Sequence, residues 1–161
     1  MKTKLIIAIT LIFLVILQST TLDYLKLFNT KPDLVLIAIV LIALSLKFKW
    51  VMLFGYLAGF LKDALATQTI GLNTLVLPLI GFLVFRLSKK IDIESDFMKS
   101  ALIFMATFLE NLLIWFLLIF LGTDISLGIF FRFTLVGSIY TALLFFLFSK
   151  KILTPKLSTQ S

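Results

Sequence analysis

Five ionisable residues stand inside otherwise apolar stretches of this chain: Asp33, Lys62, Asp63, Glu110 and Arg132. An ionisable group at membrane depth is costly, and by default it marks a functional or pairing role. The chemistry open to these five is ion pairing and hydrogen bonding. Histidine and cysteine are absent, which removes the commonest general base and metal ligand, together with disulfides and thiolate chemistry. The sequence shows no Ser/His pair, no Gly-rich phosphate loop and no carboxylate cluster at metal spacing. It therefore carries no catalytic constellation, cofactor site or metal site.

Each polar position has a local explanation to weigh. Pro32-Asp33 reads as a helix start, because Pro suits the first turn and a carboxylate favours the positive end of the helix dipole. A further contact role for Asp33 stays open. Gly55, Gly59 and Asp63 fall at i, i+4 and i+8 and share one helix face. Small residues at that spacing let backbones approach closely, so the first reading of this face is tight internal packing. Asp63 is expected to point inward about one turn from the helix end, with its neighbour Lys62 snorkelling outward. Gly71 allows a tight turn, and Asn73 can satisfy free backbone groups where two helices meet. Pro78 should kink its helix.

Glu110 and Arg132 differ in expected depth by four residues, or about 6 Å, which an arginine side chain can cover. The reading is an ion pair that staples the last helical hairpin. Two alternatives stay open: Arg132 pairs with Asp63, or Arg132 snorkels to the headgroups alone while Glu110 stays protonated.

The elements that position these residues follow from composition. The chain of 161 residues is 61% hydrophobic and 14% charged, with mean hydropathy +1.16. Globular chains average roughly 45–50% apolar and about 25% charged, so an ordinary soluble enzyme is excluded. A membrane helix needs about 20 mostly apolar residues. Six stretches qualify, over residues 5–22, 32–46, 50–66, 70–87, 98–121 and 125–148. The second is short and is expected to run on through Phe48. The first, after the basic start Met1–Lys4, is expected to be a retained helix, since no Ala-x-Ala cleavage site follows it. The expected architecture is all-α: one integral-membrane bundle of six transmembrane helices, a single domain over residues 1–161.

Orientation follows from the cations. Lys2, Lys4, Lys47, Lys49, Arg86, Lys89, Lys90, Lys99, Lys150, Lys151 and Lys156 fall on one side, against Lys26 and Lys31 on the other. The positive-inside rule then places both termini in the cytoplasm. Trp50 beside Lys49 fits the inner aromatic belt. The net charge of +7 reports orientation in the bilayer and requires no nucleic acid.

Residues 31–75 resemble the bacterial rod shape-determining protein family MreD. The resemblance is carried by Pro32 and Asp33, by the Gly55-x-x-x-Gly59-x-x-x-Asp63 helix, and by Ile70 and Gly71 with Asn73. A polar patch of the last span, where the family often has Asn, reads Gly137-Ser138-Ile139-Tyr140-Thr141 here. The resemblance implies a non-enzymatic membrane subunit of the cell-elongation machinery, bound for the inner (plasma) membrane. Its implied direct partner is MreC, through MreC's transmembrane helix. MreB, RodA and its partner transpeptidase are implied in the larger complex. The implied fold is similar to the substrate-binding S-component of energy-coupling-factor vitamin transporters.

Two functions compete. One is a scaffold that holds another subunit's helix in an intramembrane groove, formed or supported by the Gly face of the third span and the turn after it. The other is a ligand-binding subunit of a vitamin transporter, which often docks through an Ala-x-x-x-Ala pattern in its first span. Ala8 is the single alanine there, which weighs against the transporter.

Overall fold

The computed structural model describes residues 2–20, 32–65, 71–91, 93–123 and 126–153. These form six helices: α1 (Lys2–Thr20), α2 (Leu34–Ser45), α3 (Phe48–Leu65), α4 (Leu72–Ser88), α5 (Asp96–Phe120) and α6 (Leu127–Leu153). Lys26, Lys31, Ile70 and the turn over residues 67–69, on which parts of the sequence reading rest, lie outside the described residues.

Helix α2 is the centre. It has 12 residues, and seven of them are buried: Val35, Leu36, Ile37, Ile39, Val40, Ile42 and Ala43. A helix apolar on nearly every side has no solvent face and must be surrounded. Accordingly α2 touches all five other helices. Those five form an arc around it, in the order α1, α3, α4, α5, α6. The α3–α4 and α5–α6 hairpins are the most closely packed pairs. Among the described residues the arc does not close, because α1 and α6 make no contact.

Local chemistry sets the helix ends. Asp33 caps α2, its Oδ1 accepting from the Leu36 N–H at 2.9 Å. Pro32 thus sits just before the cap, not in the first turn. At the other end Leu46 turns extended, with φ −111 and ψ 166, while its N–H still bonds to the Ile42 carbonyl. The expected run through Phe48 therefore does not form: the chain breaks at Leu46-Lys47, and Phe48 opens α3 instead. Ser95 caps α5, its Oγ accepting from the Met98 N–H, and Asp96 favours the positive end of the dipole. Gly122, with φ 78, closes α5. Thr123 N–H bonds to the Leu118 carbonyl and Gly122 N–H to the Ile119 carbonyl, the paired pattern that satisfies the last carbonyls.

Large apolar side chains cover the outside of the bundle, among them Phe13, Phe60, Leu75, Met105 and Leu147. Water would not tolerate such a continuous apolar skin on a monomer. Two helical segments, Asp96–Phe120 and Phe130–Ser149, are long and apolar enough to cross a membrane; Lys4–Thr20, Leu34–Ser45 and Leu72–Ser88 are apolar but shorter.

A candidate interior polar lock

Helix α3 presents two buried rows. Gly55, Gly59 and Asp63 face α4, while Val51, Phe54 and Ala58 lead at helical spacing to Lys62 on an adjacent stripe. Adjacent residues on a helix point about 100° apart. Lys62 and Asp63 therefore serve different neighbours.

The Gly row is consumed inside the protein. A Cβ on Gly55 would stand 2.8 Å from Cα of Pro78. On Gly59 it would press on the Asn73 carbonyl oxygen and lie 2.7 Å from Cα of Thr74. These are backbone atoms, so α3 and α4 approach as closely as two helices can. The internal-packing reading thus describes this face, and no groove for a partner opens on it.

Asp63 completes the row and caps α4 from the neighbouring helix. Its Oδ1 accepts from the Asn73 N–H at 3.1 Å and from Asn73 Nδ2 at 2.8 Å. Its Oδ2 accepts from the Thr74 N–H at 2.8 Å and Thr74 Oγ1 at 2.6 Å. Gly71, at the cap position with φ 90, has no side chain to do this. Two of the free N–H groups at the start of α4 are thereby satisfied without water. Asn73 contributes as a donor to Asp63, in addition to its own backbone.

Lys62 does not snorkel outward. Its Nζ donates to Asp33 Oδ2 at 2.6 Å and to Glu110 Oε1 at 2.9 Å. The Glu110 side chain is 2% exposed and that of Asp33 14%. The expected Glu110–Arg132 pair is therefore replaced: Glu110 pairs with Lys62, and Arg132 lies exposed on α6, outside the ion pairs formed among the described residues. Asp63 is not its partner either, being occupied by Asn73 and Thr74. The physical reason is position. Lys62 extends a buried stripe of α3, whereas Arg132 shares the exposed face of α6 with Phe131 and Leu135.

Two further residues join from α1 and α6. Gln18 Oε1 accepts from the Val35 N–H at 3.1 Å. Thr141 Oγ1 accepts from the Asp33 N–H at 3.1 Å and donates to the Gly137 carbonyl. The start of α2 is thus held by α1, by α6 and by its own cap. Neither Gln18 nor Thr141 stood out by residue type. Gln18 belongs to the polar run Gln18-Ser19-Thr20-Thr21 near the end of the first apolar stretch, and Thr141 to a patch identified only by resemblance.

The result is two polar groups. Gln18, Asp33, Lys62, Glu110 and Thr141 link α1, α2, α3, α5 and α6, while Asp63 separately ties α3 to α4. Two carboxylates share a single ammonium group, an arrangement suited to holding helices together. Among the described residues, no group of three His, Cys, Asp or Glu side chains is placed to hold a metal ion. Beyond the cluster α5 continues ten residues to Phe120, about 15 Å.

Apolar outside and polar at two interior loci, the molecule is a helical membrane protein whose buried charges bind its own helices to one another. The family model for rod shape-determining protein MreD matches residues 1–154, and the chain belongs to the MreD family. Proteins of this family are membrane proteins with a structural role in determining rod shape, and they are not known as enzymes. No curated protein and no solved structure matches the chain.

Proposed function

We propose that residues 1–161 form a single six-span membrane domain with both termini in the cytoplasm. In this reading the protein is a non-catalytic scaffold of the cell-elongation complex. It receives the transmembrane helix of MreC and helps to organise peptidoglycan synthesis with MreB, RodA and the elongation transpeptidase.

The observation that carries the proposal is the open arc. Between α1 and α6, α2 turns one face outward: Leu34, Ala38, Leu41 and Ser45, at i, i+4, i+7 and i+11. Leu41 is 37% exposed on a helix most of whose residues are buried. A small residue at the middle of such a strip lets an incoming helix approach closely. The shortness of α2 is compatible with a membrane span, because protein contacts satisfy its N-terminal N–H groups in place of water. The distribution of lysine and arginine supports the orientation.

The test is capture of MreC from solubilised membranes. Ala38→Trp fills the strip and is expected to lower MreC recovery by about tenfold, the loss of about 1.4 kcal/mol of contact. Leu53→Trp, on an exposed face of α3, should leave recovery unchanged. Full recovery with the Ala38 variant, at unchanged thermal stability, would refute the site.

A further inference from the structure

A second concavity lies on the other side of the bundle, between α4 and α5. It measures about 530 Å³ and its wall is almost wholly apolar. Leu83, Val84 and Leu87 line it from α4, and Leu102, Met105 and Ala106 from α5. The groove follows two turns of α4, from Ile80 to Leu87, and its apolar wall suits an acyl chain.

Charge at the mouth decides what kind of lipid. Following the lining face of α4 one turn beyond Leu87 leads to Lys90, whose N–H still bonds to the Leu87 carbonyl at 2.9 Å. Following the lining face of α5 one turn back from Leu102 leads to Lys99. Lys90 is exposed, and Lys99 is half-buried with only a long contact, 3.6 Å, to Asp96. Arg86, also exposed, lies one turn before Lys90. Arg86, Lys89, Lys90 and Lys99 thus outnumber Asp92, Glu94 and Asp96 in the sequence at this end of both walls, where a headgroup would sit if a tail filled the groove. Basic pockets between membrane helices recognise anionic headgroups in this way.

We infer that the α4–α5 groove is a binding site for an anionic phospholipid, with one tail against Leu83, Val84, Met105 and Ala106 and the phosphate at Lys90 and Lys99. This site is separate from the α1–α6 gap and does not depend on the reading of that gap.

The experiment uses the full chain in mild detergent with phosphatidylglycerol and phosphatidylcholine as probes, counting retained lipid by native mass spectrometry. The wild-type protein is expected to keep phosphatidylglycerol in preference. The K90Q/K99Q double variant should lose that preference by about tenfold while still retaining some lipid of either kind. Ala106→Phe, which fills the groove, should lower retention of both lipids. An unchanged preference in K90Q/K99Q overturns the inference even if the Ala106 variant fails to fold. Leu83→Cys in this cysteine-free chain supplies the other arm. Cross-linking of that cysteine in native membranes to another polypeptide, or to a second copy, would assign the groove to a protein and equally overturn the inference.

Discussion

Lys62 donates to Asp33 and Glu110 together, so its removal leaves two carboxylates facing each other in an apolar interior. Breaking a buried pair from one side costs about 3–5 kcal/mol, chiefly through the stranded charge. Lys62→Met is therefore expected to destabilise the protein by about that much in detergent unfolding. A double-mutant cycle of Lys62→Met with Glu110→Gln should show a coupling of about 1–3 kcal/mol. The cycle of Glu110→Gln with Arg132→Met should be additive within about 0.5 kcal/mol. Coupling to Arg132 instead of Lys62 would reverse the assignment made here. Asp33 as a cap and Asp63 as an inward group were legible from sequence, because a helix start and a small-residue row are local patterns. The pairing of Glu110 was not. Separation along the chain says nothing about which helix lies across from it, and Lys62 was read against a single inward face when α3 has two. The stripe through Val51, Phe54 and Ala58 was the available signal.

At the scale of the helix, three glycines separate two kinds of close contact. A methyl group on Gly59 would meet backbone of α4, which moves only if the whole helix moves. On Gly81 it would meet Cγ1 of Val51 at 3.0 Å and Cγ2 of Ile39 at 3.4 Å, both side-chain tips. Gly59→Ala is thus expected to cost about 1–3 kcal/mol or more through overpacking. Gly81→Ala should cost less, since methyl groups and not backbone must give by a few tenths of an ångström, and up to about 1 kcal/mol of helix propensity offsets that strain. Thermal unfolding of the two variants side by side is the measurement, and equal effects would contradict the packing described. Gly55, against Pro78, belongs with Gly59. The six helices themselves were readable from hydropathy because each is a mostly apolar run bounded by polar or turn residues. The break at Leu46-Lys47 was harder, since Leu46 is as apolar as the helix before it and the cue was the following lysine.

At the scale of the molecule, the arc around α2 was not legible in the sequence. Hydropathy distinguishes apolar stretches from polar ones, but all six helices are apolar, and lipid supplies no hydrophobic drive to rank their contacts. What selects the centre is the convergence of polar groups from distant segments on the start of α2, a helix of 12 residues. Those segments are ordered in time as well as in space. Asp33 precedes Lys62 by 29 residues, Lys62 precedes Glu110 by 48, and Asp33 precedes Thr141 by 108. Chains are made from the N-terminus onward, so the start of the second helix keeps an uncovered N–H until the sixth is made. Biogenesis therefore ends where the structure is tied together, and a chain released after Ser95 is expected to be cleared by membrane proteases. Pulse-chase lifetimes would measure this, with rescue when residues 96–161 are supplied on a separate chain. A truncated chain as long-lived as the whole would show that the first four helices complete one another without the last two.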